Sequence, residues 1–290
     1  MTIRCLANIT AVLTFATVAV AQPAPKEDFF TGRDVFAQIV EKAKQENWKK
    51  LEMGDLVGKV AKEFVGTPYV GFTFEIFDDR EVCVINLKGL DCATFYEAAL
   101  GLARTIKSNR TTADEFQRQI TRIRYRGGKL DGYASRLHYA IDYFQDNEAK
   151  GILNIITDDL PGALPYEKPI SFMSENAELY RQLKANPSLV PLIAKTEAEI
   201  NKRKTYYVPK DKVGEIETLL KTGDILGLTI PTKGLDVSHT GLCYRDENGV
   251  LRLLHASSVK KAVVLDERLS DYLARSRNTG IVVARPMELN

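Results

Sequence analysis

The sequence predicts an α+β fold, in which N-terminal helices pack on an antiparallel sheet and a large, mainly helical segment is inserted between them. Helical periodicity dominates up to residue 210, whereas from Gly223 onwards apolar and polar residues alternate with a period of two. Short turn sequences separate the alternating runs, which is typical of antiparallel strands. The helices therefore come first along the chain and the sheet comes last.

Residues 1–21 have the pattern of a secretory signal peptide. Arg4 supplies a positive start, Ile9 to Ala21 is an uncharged, mostly apolar run, and Ala19-Val20-Ala21 fits a small-x-small cleavage site. The run is shorter than the roughly 20 apolar residues of a membrane span, although a short N-terminal anchor is the alternative. We therefore expect residues 22–290 to form a single periplasmic or secreted domain without a stable membrane anchor.

Charge and cysteine count limit the class of protein. The net charge of +2 falls to +1 when Arg4 is removed with the signal, and so balanced a charge gives no indication of a nucleic-acid partner. Three cysteines remain in the mature chain: Cys83, Cys92 and Cys243. In an oxidising compartment, an odd number leaves at least one thiol without a partner in the same chain.

Apolar spacing and capping residues predict the helices and strands of the first two thirds. They are a helix over Thr31–Glu52 opened by a Thr31/Asp34 capping box, a helix over Asp55–Val65, a strand over Glu81–Leu87 and a helix from Asp91 to Lys107. The insertion, residues 108–210, contains a Thr112/Glu115 capping box and helical spacing over Ser174–Lys184 and Leu189–Lys204. Five strands follow, at 224–230, 237–245, 250–256, 261–265 and 280–285, with a short helix near 267–274.

Cys92 is the first candidate for chemistry. Asp91-Cys92 opens a predicted helix directly after a turn, so the thiol lies in the first helical turn. Backbone N–H groups and the positive end of the helix dipole lower the pKa of a thiol there and can hold an oxyanion. The alternative is a buried, inert cysteine, which is the usual role of a free cysteine.

Two of the three histidines lie on neighbouring predicted strands. The turn Asp246-Glu247-Asn248-Gly249 favours a three-residue hairpin loop with Gly249 left-handed, which pairs Asp246 with Val250. In that register His239 faces Ser257, His255 faces Gly241, and both imidazoles share one sheet face. A four-residue loop would place them on opposite faces.

A thiol at a helix N-terminus with two adjacent imidazoles suits nucleophilic catalysis. His239 would take the proton of Cys92, and His255 would orient His239. A Cys-His-His zinc site uses the same residue types, but zinc cysteines usually occur in close pairs and this chain has none. We therefore expect no metal and no cofactor.

Cys83 and Cys243 lie inside predicted strands, which favours structural roles, and they can also pair with each other.

Five motifs together resemble the NlpC-type cell-wall cysteine hydrolases, which have a papain-like fold. They are Gly66-Thr67-Pro68-Tyr69, Leu90-Asp91-Cys92, Gly223-Asp224-Ile225-Leu226, Ser238-His239-Thr240-Gly241-Leu242 and Leu254-His255-Ala256-Ser257. Three further motifs resemble the N-acetylmuramoyl-L-alanine amidase-like branch: Arg124-Tyr125-Arg126, Arg136-Leu137-His138-Tyr139 and Gly234-Leu235-Asp236. The resemblance covers residues 55 to 286.

The resemblance implies a peptidoglycan amidohydrolase with Cys92, His239 and His255 as its catalytic triad. It also implies that Tyr69 and Asp91 contact the stem peptide. Two features depart from the pattern: Ala93-Thr94 follows the cysteine in place of Ser-Gly, and 146 residues separate Cys92 from His239. The insertion can therefore reshape the substrate groove.

The insertion has candidates of its own, and the exact function has alternatives. Arg136 and His138 can bind a carboxylate of the stem peptide; the alternative is a surface arginine and a hydrogen-bonded structural histidine. The substrate is expected to be peptidoglycan or a muropeptide, cut at the muramoyl–L-alanine bond. A γ-D-glutamyl–diamino acid endopeptidase and a non-catalytic cell-wall binding protein are the alternatives.

Overall fold

The structure is a computed structural model that describes residues 28–289. The predicted signal peptide, residues 1–21, lies outside the described residues. Among residues 28–289, none of the helices combines the length and the apolar composition of a membrane span. The described chain has the predicted α+β composition, with ten α-helices and an antiparallel sheet of eight strands.

The N-terminal helix is shorter than predicted. Strand β1 (Phe30–Thr31) precedes α1 (Arg33–Gln45), a short 3₁₀ turn follows at Trp48–Lys50, and α2 spans Met53–Glu63. The predicted Thr31/Asp34 capping box is wrong, because Thr31 lies in a strand and Gly32, at φ 93°, precedes the helix without a side-chain cap. The continuation to Glu52 is also wrong, since the chain turns at Asn47 with φ 56°.

The central helix begins where the sequence predicts. Helix α3 spans Cys92–Lys107, and from Thr94 to Ile106 all of its residues are buried, because α2, α4 (Ala113–Arg124) and the sheet pack around it. The strand predicted over Glu81–Leu87 shrinks to β2 (Ile85–Asn86), which pairs in parallel with β1. Thr112 does cap α4 by accepting from the backbone N–H of Glu115, but the Glu115 side chain binds Arg118 and Gln119 instead of closing the box.

The insertion is mainly helical but also extends the sheet. After α4 it contains α5 (Ala140–Ala149), β3 (Leu153–Ile155), β4 (Leu164–Pro165), α6 (Phe172–Glu175), α7 (Arg181–Ala185), α8 (Val190–Ile200) and β5 (Tyr206–Pro209). The continuous helix predicted over Ser174–Lys184 is wrong. Asn176 and Tyr180 have non-helical backbone angles, and the Asn176 side chain bonds the carbonyl of Phe172.

The C-terminal third supplies the central strands, all near their predicted positions. It contains α9 (Val213–Ile216), β6 (Ile225–Thr229), β7 (Val237–Arg245), β8 (Leu251–Ser257), β9 (Ala262–Arg268), α10 (Leu269–Arg275) and β10 (Gly280–Pro286). The strand order is β4-β5-β10-β6-β7-β8-β9, with β3 also on β10, and every neighbouring pair is antiparallel.

The β7–β8 hairpin has the predicted register. Leu242 pairs with Leu254 and Arg245 with Leu251, while the N–H of Asp246 donates to the carbonyl of Val250 at 3.0 Å. Gly249 has φ 76°, the left-handed conformation that the three-residue loop requires. The ladder stops at the Leu242–Leu254 pair, so the two strands part at the end that carries the histidines.

The two faces of this hairpin pack against different helices. Leu242 and Leu254 belong to the core around α3, whereas Cys243 and Leu253 belong to a second core with Leu269 and Leu273 of α10. The site lies where the strands part, between the N-terminus of α3 and α10.

Candidate functional site

Cys92 is the first residue of α3, and Asp91 caps that helix. One carboxylate oxygen of Asp91 accepts from the backbone N–H groups of Ala93 (3.1 Å) and Thr94 (2.8 Å), while the Thr94 hydroxyl accepts from the N–H of Asp91 at 2.8 Å. This reciprocal capping box fixes the first turn and therefore the position of the thiol. It also occupies two of the N–H groups expected to hold an oxyanion, which leaves that of Cys92 itself.

The thiol of Cys92 is protonated in the resting site. Burial, reinforced by the Asp91 carboxylate, raises its pKa to about 11. The sequence predicts a lowered pKa for a thiol at a helix N-terminus, whereas here desolvation and the charge of Asp91 outweigh the hydrogen bonds from Thr240 that lower it. A reaction at this thiol would therefore require a base.

His239 and His255 lie together on one sheet face, as the predicted register requires. Nε2 of His239 is 2.5 Å from Nδ1 of His255, and the two rings stand nearly perpendicular with centroids 4.8 Å apart. Burial, together with His255, lowers the pKa of His239 to about 3, and burial also lowers that of His255. Both imidazoles are therefore neutral near pH 7, and Nδ1 is the ring nitrogen of His239 that its neighbour leaves free.

Asp266 is the site residue that the sequence did not reveal. Its Oδ2 lies 3.1 Å from Nε2 of His255, which is only 1% exposed. The predicted strand 261–265 ends three residues before β9 does, and the helix is predicted near 267–274, so Asp266 belongs to neither predicted element. Extending β9 to Arg268 would have placed Asp266 on the strand beside the second histidine.

Thr240 and two tyrosines lie close to Cys92. The hydroxyl of Thr240, the residue after His239, donates to the carbonyl of Cys92 at 2.8 Å and joins α3 to β7. Burial, followed by the charges of Cys92 and Asp91, raises the pKa of Tyr69 to about 12. Burial also raises the pKa of Tyr272 on α10, with contributions from Asp266 and Cys92. The thiol is thus close enough to both tyrosines to affect their ionisation.

Gly241 makes the histidine pair possible. A Cβ at this position would lie 2.7 Å from Cδ1 of Leu253 and 3.1 Å from Cβ of His255. Leu253 and His255 therefore occupy the space that a side chain at residue 241 would fill. Because glycine has no side chain, His255 on β8 can lie opposite residue 241 on β7.

Arg136 is buried and already paired. Its guanidinium is 2.6 Å from Glu75 and 3.3 Å from Glu81, and its exposed fraction is 5%. The alternative of a surface arginine is wrong. A stem-peptide carboxylate would have to displace one of these two glutamates in order to bind Arg136.

His138 also has a partner within the insertion. One ring nitrogen lies 2.9 Å from the carbonyl oxygen of Tyr133, and the two rings pack at 4.5 Å. Burial, followed by the positive charge of Arg136, lowers the pKa of His138 well below its ordinary value. His138 is therefore neutral and bonds the protein through one ring nitrogen, so its other ring nitrogen can bind a ligand.

The other two cysteines have packing roles in the described chain. Cys83 and Cys243 are both free, so the disulfide between them is not formed. Cys243 lies in the second core, and Cys83 contacts Thr121 and Arg124. Within residues 28–289, no group of three or more His, Cys, Asp and Glu side chains has the arrangement of a metal site.

Comparison with known proteins gives a family for the chain. The AmiA-like family model, N-acetylmuramoyl-L-alanine amidase-like, matches residues 59–281. None of the curated proteins matches. An N-acetylmuramoyl-L-alanine amidase from Bacteroides uniformis ATCC 8492 is 34% identical with a TM-score of 0.75, over 81% of this chain and 99% of that one.

Two further solved structures are similar. A Bacteroides fragilis protein, described provisionally as a xylanase, is 40% identical with a TM-score of 0.73, over 78% of this chain and 99% of that one. Protein LPG0564 from Legionella pneumophila, of the family DUF1460, covers 88% of this chain and 95% of its own at a TM-score of 0.64. At 22% identity it shows the fold alone.

Proposed function

Because this chain belongs to the AmiA-like family of N-acetylmuramoyl-L-alanine amidase-like proteins, we propose that it is a cysteine-dependent peptidoglycan amidase. Cys92 is the nucleophile, His239 the base and His255 the residue that orients the base. The observation that carries the proposal is the hydrogen bond from Thr240, the residue after His239, to the carbonyl of Cys92, which joins the His239–His255 pair to the N-terminus of α3. The order along the chain, with the proposed nucleophile on a helix followed by two histidines on strands, supports a papain-like fold for residues 28–289.

In the first half of the reaction, the thiol attacks the lactyl carbonyl of N-acetylmuramic acid. As Sγ of Cys92 forms a bond with the carbonyl carbon, its proton passes to Nδ1 of His239. The N–H of Cys92, which the Asp91 cap leaves free, holds the developing oxyanion. When the C–N bond breaks, His239 returns the proton to the departing amine of L-alanine.

In the second half, water hydrolyses the thioester. His239 takes a proton from water, the hydroxide attacks the thioester carbonyl, and the thiol leaves with the proton that His239 returns. The neutral thiol and the neutral imidazole that burial favours are the protonation states required at the start of each cycle. The buried site also strengthens the hydrogen bonds on which both halves depend.

The carboxylates of the site support an acyl-transfer reaction over glycoside cleavage. Glycosidases generally use two carboxyl groups that flank the glycosidic bond. In this chain Asp91 caps α3 and Asp266 binds His255, so both carboxylates are engaged. We propose that Tyr69 and Asp91, which both lie close to the thiol, contact the stem peptide.

Mass spectrometry of purified muropeptides tests the proposal. Wild type should release a stem peptide with a free L-alanine amine and leave muramic acid with a free lactyl carboxyl group. Cys92→Ala should release nothing, whereas the control Cys243→Ala should cleave with the wild-type pattern. Cleavage between D-glutamate and the diamino acid would instead identify a stem-peptide endopeptidase. Undiminished cleavage by Cys92→Ala would refute the cysteine mechanism.

We propose that the enzyme acts in the periplasm or outside the cell, because its substrate is there and because residues 1–21 have the pattern of an export signal. N-terminal sequencing of the exported protein should find Gln22. A full-length chain retained in the cytoplasm would contradict this assignment.

A further inference from the structure

Asp266 is held from both sides in a fixed orientation toward His255. Its Oδ2 faces Nε2 of His255 at 3.1 Å, while Oδ1 accepts from the backbone N–H of Glu267 at 2.8 Å and is 2.8 Å from Nζ of Lys260. The ring of Tyr272 packs against His255 with centroids 5.4 Å apart. The carboxylate and the second imidazole therefore have little freedom to separate.

The charges at these positions decide where the protons are. The pKa of Asp266 is lowered, because Lys260 and His255 outweigh its burial, so the side chain is an ionised carboxylate that can only accept. His255 is neutral, because burial lowers its pKa despite Asp266. A neutral imidazole has one N–H, and the acceptor beside Nε2 draws that proton to Nε2.

This arrangement fixes the protons on the next ring. With its proton on Nε2, His255 presents a lone pair at Nδ1, and the partner at 2.5 Å is Nε2 of His239. Nε2 of His239 must therefore carry the N–H, which leaves the lone pair on Nδ1. Nδ1 is the atom that has to be unprotonated in order to take the proton of Cys92.

We propose that Asp266 is a positioning residue that sets the tautomer of His239 through His255. The inference rests on the proposed role of His239 as base. When the Cys92 proton reaches Nδ1, both nitrogens of His239 carry hydrogens, and the Nε2–H bond to His255 stabilises the resulting imidazolium. No proton moves to Asp266. Its negative charge acts on His239 across the neutral ring of His255.

The Asp266→Asn variant separates this role from packing. Asparagine has nearly the same shape, but its amide N–H₂ can donate to Nε2 of His255 and move the ring proton to Nδ1. Nδ1–H of His255 would then donate to Nε2 of His239, whose own proton would have to sit on Nδ1. The base would be in the wrong tautomer with the contacts otherwise intact.

The direct test is ¹⁵N–¹H correlation spectroscopy of the histidine rings at neutral pH. The chain has three histidines, so single variants of each assign every signal. In Cys92→Ala carrying wild-type Asp266, His239 should be protonated at Nε2. In the Asp266→Asn form of the same protein it should be protonated at Nδ1.

The kinetic test uses matched carboxylate variants. Asp266→Asn should lower kcat on a muropeptide by at least about 10²-fold with KM little changed, since the wrong tautomer costs about 10⁴ in a serine protease. Asp266→Glu should recover part of the loss, and Asp266→Ala should lose activity even if the asparagine variant fails to fold. The control Glu267→Gln removes the neighbouring negative charge without touching His255, so it should retain wild-type kcat.

Two outcomes would overturn the inference. One is an Nε2-protonated His239 in Asp266→Asn, because Asp266 would then not set the tautomer. The other is a reversed tautomer with undiminished kcat. Failure of the cysteine mechanism is distinguishable from both, because it appears as activity in Cys92→Ala, whereas the ring spectra require no turnover.

Discussion

Two buried polar clusters in this molecule differ in how their charges are paired. The ion-pair ladder (Glu75, Glu81, Glu97, Arg124 and Arg136) joins the insertion to α3 and to the segment before β2. In the ladder every guanidinium meets a carboxylate, as in Arg124–Glu97 at 2.8 Å with both side chains 4% exposed. The site at the end of β7 and β8 instead holds a neutral thiol and two neutral imidazoles. Its two carboxylates are engaged elsewhere, Asp91 at the N-terminus of α3 and Asp266 at His255.

The difference shows how burial serves two purposes. Opposite charges in the ladder stabilise each other's ionised forms, so protonation of one of its glutamates would leave a guanidinium as an unpaired buried charge. In the site, burial favours the neutral forms of Cys92 and His239, so a proton can move between them without separating an existing ion pair. The ladder therefore stabilises the fold, whereas the site has the neutral groups that the proposed acid–base chemistry requires.

The sharpest contrast compares His239 with His138, which are both largely buried and neutral. His239→Ala should lower kcat/KM by about 10² to 10⁴, the usual contribution of a general base. His138→Ala should have a much smaller effect, because its one assigned partner is the carbonyl of Tyr133. Kinetics of both variants on one muropeptide measure the difference. Loss of activity in His138→Ala alone would place the base in the insertion.

A second pair of variants tests the ladder. Arg124→Met should reduce the free energy of unfolding by about 3 to 5 kcal/mol, because it leaves Glu97 as an unpaired buried charge. The double variant Arg124→Met/Glu97→Leu should recover much of that loss, since replacing both partners with apolar residues removes the unpaired charge. Urea unfolding measures both values. Equal destabilisation by the single and double variants would show that the pair acts through packing alone.

The sequence predicted the site better than the insertion, for a physical reason. The Asp91–Cys92 helix start and the His239–His255 register depend on local rules, namely a cap and a hairpin loop, and both are confirmed. The ladder joins side chains up to 61 residues apart, as in Arg136–Glu75, so no local pattern predicts it. Asp266 lies beyond the predicted end of its strand, because alternation of apolar and polar residues does not extend to Arg268.

The pKa of Cys92 differs from what its position on the helix predicts. A helix N-terminus predicts a lowered thiol pKa, but burial and Asp91 raise it to about 11. With the pKa raised, the thiolate is scarce at neutral pH and becomes abundant only as the pH approaches that value. Iodoacetamide labelling of Cys92 in Cys83→Ser should therefore accelerate about tenfold per pH unit from 7 to 10. A rate that levels off below pH 8 would support the lowered pKa instead.

The most direct test of the cysteine mechanism is to trap the thioester on Cys92. Muropeptide turnover by wild type is quenched with acid within one turnover time, and the protein is digested and mapped by mass spectrometry. The mechanism predicts a muramyl adduct on the peptide that contains Cys92, absent from Cys92→Ala and unchanged in Cys243→Ala. Rapid hydrolysis by Cys92→Ala, or an adduct on another residue, would contradict it.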